Sequence, residues 1–361
     1  MSQENELKQL RDQIDGVDSE LLALIQKRIS LAQAVGKVKE AYSQQDAVIY
    51  RPEREAQVVR RMVAESEGAM NAHQINTLYR EIMSICRGAE ARLRVAVLGP
   101  EGTFTEMAAL QQFGSSVDIS LQARIDQIFS AVETGETHYG VVPVENSTEG
   151  VISETADLLA NTSLNIAGEI YLPIHHALLS KLGNAKEIKV IYSHAQSLSQ
   201  CRLWLQENIP DVQIKSVASN AEAAKMARDC EQCAAIAGEH AAEQYGLNVL
   251  SSHIEDHKHN TTRFLVLSQE QIAASGKDKT SLLMGCKNEP GSLFKLLAPF
   301  QAHEISLLKI ESRPSKVKRW EYLFFVDIEG HHHDAAIAPA LAEVADAADY
   351  FRVLGAYPRA D

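Results

Sequence analysis

Along the first forty residues, apolar side chains recur at Leu7, Leu10, Ile14, Val17, Leu21, Leu24, Leu31, Val35 and Val38. Steps of three and four keep them on one stripe of an α-helix. The stripe persists for about thirty residues, well beyond the three or four turns of an ordinary globular helix. One helix cannot bury its own seam, so a partner helix is required. Two shorter helical patterns follow, over roughly 52–66 and 71–92, the first opening on Pro52 at a favoured N1-like position. A three-helix unit of that size makes a thin monomer, and dimerisation is the expectation.

Continuing the heptad from Leu24 predicts an apolar residue at position 28, where the chain has Arg28. A guanidinium in an apolar seam is costly unless an anion meets it. A register-setting ion pair with a neighbouring helix is one answer; a bound anion is the other. Lys39 stands about 20° round the helix from Arg28 and about 16 Å along it, so the two can converge on something small. Arg11 lies about 26 Å from Arg28 and reaches the same ligand only from an antiparallel second chain. "RPEREAQVVR" adds Arg51, Arg54 and Glu55, and the third helix carries Glu90. Arg11, Arg28, Lys39 and Arg54 with two carboxylates suit a small dicarboxylate. No nucleophile, metal cage or phosphate loop accompanies them, so the chemistry implied is electrostatic positioning.

From Arg94 the period changes. "LRVAVLG", "YGVVPVEN", "EIKVIYSH" and "CAAIAG" read as strands, alternating with helices such as "TFTEMAALQQF", "SLSQCRLWLQENI" and "EHAAEQYG". This predicts an α/β domain with a mostly parallel sheet, its polar clusters at strand ends. The polar stretch "SQEQIAASGKDK" reads as a linker. After it, strand, helix, two strands, helix and strand give the β-α-β-β-α-β order of a ferredoxin-like α+β fold. The boundaries expected are 1–93 helical, 94–270 α/β, 271–279 linker and 280–361 α+β. A chain of 361 residues is long enough for two or three such domains.

Charge and cysteines narrow the function classes. A net charge of −13 argues against nucleic-acid and anionic-membrane partners. Residues 1–93 hold 13 Lys/Arg against 14 Asp/Glu, so that module is neutral and can still gather anions. Five scattered cysteines fit a reducing compartment, and "CEQC" at 230–233 reads as two small residues on a helix. With no apolar leader or membrane-length run, a cytoplasmic protein is expected. His253, His257 and His259 in "HIEDHKHN", like "HHHD" at 331–334, lack Cys partners and structural-zinc spacing, so no metal is expected at either. "GPEGTF" lacks the G-x-G-x-x-G turn of a dinucleotide site.

"HNTTRFLVL" runs from His259 to Leu267, a polar group followed by a buried apolar strand. A polar turn is the ordinary explanation; a ligand site at the mouth of a strand is the other. The wider pattern bears on the choice. "LRDQIDGVDSELLALIQKRISLAQAVGKVKE", "RPEREAQVV" and "YREIMSICRGAE" resemble the all-helical chorismate mutases. "GPEGTFTEMAA", "VVPVENSTEG", "YSHAQSLSQCR" and "NTTRF" are similar to prephenate dehydratase, and "NEPGSLFKLL" with "KIESRP" to its ACT regulatory domain. In this order they resemble the bifunctional chorismate mutase–prephenate dehydratases.

The resemblance implies an all-α dimerising module, a two-lobed periplasmic-binding-protein-like middle domain and an ACT domain. It implies an enzyme that converts chorismate to prephenate and prephenate to phenylpyruvate, inhibited by phenylalanine, without a cofactor, as a homodimer or homotetramer. Arg11 of a second chain and Arg28 would hold the carboxylates of chorismate, and Lys39 would donate to its ether oxygen. Glu55 would accept from the ring hydroxyl, Arg54 would support the pocket, and Cys86 and Glu90 would line it. Arg51 stands where the family often has an Asp for that hydroxyl. Glu90, where many relatives carry Gln, could donate only while protonated. For prephenate, Thr262 would donate to the leaving hydroxyl, and Arg263 would fix the loop or pair with a carboxylate. Phe264, Gly102, Thr103, Phe104, Glu145, Asn146, Ser147, Thr148, Ser193, His194 and Gln200 would wall the cleft; Asn260 and Thr261 read as turn formers. Gly291, Ser292 and Leu293 with Glu311, Ser312, Arg313 and Pro314 would take phenylalanine, at a dimer interface. A non-catalytic amino-acid sensor built from a solute-binding-like module and an ACT domain is the alternative, and it leaves the cationic helical pocket without a purpose.

Overall fold

The computed structural model describes residues 3–42, 49–314 and 322–360. The helical part consists of α1 (Gln3–Tyr42), α2 (Pro52–Glu65) and α3 (Ala72–Glu90). Helix α1 is 40 residues long, and Leu7, Leu10, Ile14, Val17, Leu21, Leu24, Leu31, Val35 and Val38 are all exposed, between 46% and 63%. The seam read from the sequence is therefore left uncovered within one chain. Asn71 caps α3: its side chain accepts from Gln74 N, while Gln74 Oε1 accepts from Asn71 N.

The α/β region runs β1 (Leu93–Leu98), α4 (Phe104–Phe113), β2 (Val117–Gln122), α5 (Ile125–Glu133), β3 (Tyr139–Asn146), β4 (Gly150–Val151), α6 (Ser153–Asn161) and β5 (Asn165–Pro173). It continues as β6 (Ala177–Ser180), β7 (Val190–His194), α7 (Ala195–Gln200), α8 (Arg202–Asn208), β8 (Gln213–Val217), α9 (Asn220–Arg228), β9 (Cys233–Ala237), α10 (His240–Tyr245), β10 (Asn248–Ser251) and β11 (Thr261–Ser268). Two sheets result, ordered β2-β1-β3-β11-β5, with β4 on β3, and β10-β6-β9-β7-β8. The chain crosses from the first sheet to the second after β5 and returns after β10. Two lobes joined by two crossovers follow from that connectivity. The expected mostly parallel sheet is mixed instead, because β11 returns antiparallel between β3 and β5. That return brings Thr262 opposite Asn146 and Arg263 opposite Glu145.

The last region comprises β12 (Asp278–Cys286), α11 (Ser292–Ala302), β13 (Leu307–Pro314), β14 (Tyr322–Glu329), α12 (Ala338–Ala347) and β15 (Tyr350–Pro358). Its sheet order, β13-β14-β12-β15 and antiparallel throughout, is the ferredoxin-like arrangement that the element order predicts. Trp320 and Glu321, which directly precede β14, lie outside the described residues.

The stretch read as a linker is not a free tether. Asp278 and Lys279 open β12, and Ile272, Ser275, Asp278 and Lys279 are buried. Leu283, Leu354 and Tyr357 share one core with Val142, Leu265 and Ile166 of the first lobe. At Gly355 a Cβ would stand 2.2 Å from the Ile166 carbonyl oxygen, so only glycine lets β15 lie against β5. "CEQC" also departs from its expectation: Cys230 follows α9, Cys233 opens β9, and the two form a disulfide. Among the described residues no helix is long and apolar enough to cross a membrane.

Candidate active sites

In the helical part, the face of α1 bearing Arg28 and Lys39 packs on α3. Arg28 Nη1 lies 2.7 Å from Cys86 Sγ, and Lys39 Nζ lies 2.8 Å from Glu90 Oε1. Gly36 makes room for this pair, since a Cβ there would meet Glu90 Cγ at 2.7 Å. Arg28 with Cys86 and Lys39 with Glu90 thus form two contacts one helical turn apart along α3, with the Glu90 carboxylate already holding the ammonium. Arg11 is exposed on α1, Arg51 is the N-cap of α2, and Arg54 and Glu55 lie in the first turn of α2.

In the α/β region, the strand-mouth residues form a ring of hydrogen bonds. Asn146 Nδ2 donates to Asn260 Oδ1 (2.9 Å), and Asn260 Nδ2 donates to Gln200 Oε1 (3.3 Å). Gln200 Nε2 donates to Thr148 Oγ1 (3.3 Å), and Thr148 Oγ1 donates to Asn146 Oδ1 (2.6 Å). The second hydrogen on Asn146 Nδ2 goes to Thr262 Oγ1 at 2.8 Å. Because that amide nitrogen is donor-only, Thr262 accepts there and keeps its own hydrogen to give elsewhere. Ser147 closes the turn, accepting from Thr261 N at 2.9 Å.

Several expectations are corrected here. Asn260 is 3% exposed and a full member of the ring, not a turn former. Ser193 is buried, with Oγ 2.7 Å from Ile236 O and 3.0 Å from Asn220 Oδ1, so it fixes β7 against β9 rather than facing a ligand. His194 caps α7 through Nδ1, and Phe264 is 2% exposed in the interior. Thr103 Oγ1 donates to Leu98 O, and Gly102 (φ 82°) lets its own N–H meet the Glu106 carboxylate. That carboxylate occupies the Gly102 amide at the start of α4.

Sequence reasoning missed His176 altogether. Its Nε2 is 2.9 Å from Gln200 Oε1, and burial holds its pKa below the usual histidine range, so it donates as a neutral ring. The available signal was a histidine pair embedded in the apolar run "PIHHALL". Beside it, burial pushes the Glu255 carboxyl up, but the His176 N–H and the His175 ring more than offset this and leave it below its ordinary value.

Arg263 and Glu145 point the other way. Successive residues of a strand face opposite sides, and this pair faces the last sheet. The Arg263 guanidinium lies 2.9 Å from Glu169 and 2.8 Å from Asp327, and donates to Tyr357 Oη at 3.1 Å. Lys279 Nζ sits 2.7 Å from Glu169, and Ser281 Oγ joins Asp327 and Tyr357. Burial disfavours the Arg263 cation, but Tyr357, Asp327 and Glu169 outweigh it and its pKa is raised; burial pushes the Tyr357 phenol well up. Glu145 is held by Lys309, and Arg313 Nη2 lies 3.2 Å from Asp157. A cavity of about 40 Å³, room for a water, is lined by Arg263, Lys309, Glu311 and Asp327. On β13, Lys309, Glu311 and Arg313 are therefore half-buried, while Leu308, Ile310, Ser312 and Pro314 are exposed. Of the expected effector residues, Glu311 and Arg313 turn inward; Gly291, at φ 84°, is exposed at the N-cap of α11, and Ser292 and Leu293 follow it half-buried.

Residues 10–91 match the model for chorismate mutase type II, 95–272 that for prephenate dehydratase and 280–346 that for the ACT domain. The chain is 45% identical to the bifunctional chorismate mutase/prephenate dehydratase of Stutzerimonas stutzeri and 44% identical to that of Pseudomonas aeruginosa, each over the full length of both chains. Among solved structures it resembles the prephenate dehydratase of Arthrobacter aurescens in complex with L-Phe. The TM-score is 0.69 at 34% identity, covering 74% of this chain and 91% of that one.

Proposed function

Because the chain belongs to the bifunctional chorismate mutase/prephenate dehydratase family, whose members serve phenylalanine biosynthesis under feedback regulation, we propose that its two reactions run at the two residue clusters described above. It is an enzyme with both activities. The observation that carries the division of labour is the hydrogen bond from Asn146 to Thr262. It supports Thr262 as the donor to the hydroxide leaving prephenate. As the ring C–O bond breaks, the C–CO₂⁻ bond releases carbon dioxide, and its electron pair completes the aromatic ring of phenylpyruvate. Electrostatic help to the departing hydroxide is all that such a step asks of the protein. Incubation with chorismate should yield phenylpyruvate, read by its absorbance in alkali; ligand binding without turnover would leave an amino-acid sensor.

For the mutase, Arg28 and Arg11 of a second chain take the two carboxylates of chorismate, and Lys39 turns from Glu90 to the ether oxygen. Arg54, Glu55 and Arg51 are the further members that the family pattern supplies. The exposed seam of α1 supports pairing with a second copy as a homodimer. Glu90 cannot donate as a carboxylate. Glu90→Gln should therefore stay active and flatten any loss of mutase kcat/KM with rising pH, whereas Glu90→Ala should lose about tenfold or more. Identical pH profiles for wild type and Glu90→Gln would exclude Glu90 as a titrating donor.

Phenylalanine is the feedback ligand of the ACT domain, and we place it at the start of α11, where Gly291 is exposed and Ser292 and Leu293 half-buried, together with the exposed Ser312. Gly291 has a left-handed backbone that suits glycine. Gly291→Val should keep both catalytic rates while weakening phenylalanine inhibition about tenfold, equal to about 1.4 kcal/mol. Unchanged inhibition in that variant would move the effector elsewhere.

A further inference from the structure

The two crossovers between the lobes carry an unassigned group of donors. The first crossover is Ile174-His175-His176, between β5 and β6; the second runs from Ser252 to Asn260, between β10 and β11. They are tied to each other by Ile174 N to Asn260 O (2.8 Å) and Ile254 N to His176 O (3.0 Å). His175 stands on the first, and His253 and Glu255 on the second. The sequence groups His253 with His257 and His259; the fold groups it with His175 and Glu255.

His175 Nδ1 is 2.8 Å and His253 Nδ1 3.6 Å from Glu255 Oε1, and the three donor atoms lie within 4.8 Å of one another. Ligands of a tetrahedral zinc sit about 3.4 Å apart, given bonds of about 2.1 Å. The observed spacing needs only small side-chain shifts to fit. Glu255 is buried, and its other oxygen accepts from His176 N at 2.9 Å, the kind of outer contact that orients a ligating carboxylate. His253 is one of two non-glycine residues with positive φ (53°) among the described residues, and that backbone turns its ring to within 4.3 Å of the His175 ring. Positive φ is uncommon outside glycine, and here it brings a third donor side chain beside the other two. Both histidines are partly exposed, which leaves room for water or exchange on the open side.

We propose that His175, His253 and Glu255 form a site for a divalent first-row cation such as Zn²⁺, clasping the two crossovers. Two imidazoles and one carboxylate are the donor set such ions accept. From Glu255 the connection to the dehydratase cluster is short: His176 bonds Gln200, a member of the Asn146–Thr262 ring. Opening and closing of a two-lobed cleft bends its connecting segments, so the bound ion slows the dehydratase step. That consequence rests on the dehydratase assignment; metal binding does not.

The test uses the full-length chain, stripped with EDTA and titrated with Co²⁺ and then Zn²⁺. The expected result is saturable Co²⁺ absorbance in the visible, displaced by Zn²⁺, and a raised Tm. His175→Ala/His253→Ala should abolish both signals, with mutase and dehydratase rates in EDTA reporting an intact fold. Glu255→Gln should weaken binding at least about tenfold, while His332→Ala/His333→Ala should bind as wild type. Zinc should lower dehydratase kcat and leave the mutase rate alone. Absence of Co²⁺ absorbance, or binding that survives in the double variant, overturns the site. Binding lost with the double variant but without effect on dehydratase overturns only the clasp.

Discussion

Thr262→Ala lowers prephenate turnover by about 10²–10³-fold, the loss typical of one donor aimed at developing negative charge, while chorismate is still converted and prephenate accumulates. Thr262→Ser should recover most of the rate because the hydroxyl survives. Asn146→Asp gives the sharper result. A carboxylate in place of the Asn146 amide has no hydrogen for Thr262 Oγ1 and accepts the Thr262 hydrogen instead. Dehydratase kcat should then fall although Thr262 is intact. Near-normal turnover in folded Thr262→Ala would remove the hydroxyl from the mechanism; near-normal turnover in Asn146→Asp would remove the directional hydrogen bond.

Arg263→Ala should cost about 3–5 kcal/mol, the ordinary penalty for deleting one partner of a buried ion pair. The side chains of Arg263, Glu169 and Asp327 are all less than 10% exposed, and the substitution leaves Asp327 without its cation. Lys279 still holds Glu169, which keeps the loss from being larger. Urea unfolding followed by fluorescence reads this directly, with the helical part as an internal reference through its mutase activity. A loss below about 1 kcal/mol, typical of exposed pairs, would mean that the network is solvated and structurally idle. Since Arg263 adjoins Thr262 in the chain, dehydratase KM and kcat should shift along with stability.

What the sequence made legible was local. The α1 seam shows because its period needs no knowledge of tertiary contacts, and Arg28 shows because it breaks that period. Thr262, Asn146, Thr148 and Gln200 were recognisable as motif members, and the fold gathers them. Motifs were less informative about direction. Arg263 and Glu145 are adjacent to cluster residues in sequence, yet the two-residue period of a strand sends them to the opposite face. Asn260 looked like turn chemistry until β11 inserted between β3 and β5 and buried it. The packed 272–279 stretch looked like a linker because its composition is polar; the pairing of Asp278 and Lys279 with β15 joins it to a strand about eighty residues further along the chain.

The close approach at Gly355 bears on how such an enzyme can be inherited. A sensor domain on a loose tether can be exchanged between enzymes by recombination in the tether, with little else to match. Here one backbone lies directly on another, with no space for a methyl group between Gly355 and Ile166. A chimera that imports a foreign sensor must import a glycine at that position and an opposing strand cut to suit it. Recombination breakpoints between residues 166 and 355 should therefore be poorly tolerated in chimeric libraries, and lineages should transmit the catalytic lobe and its sensor as a single unit.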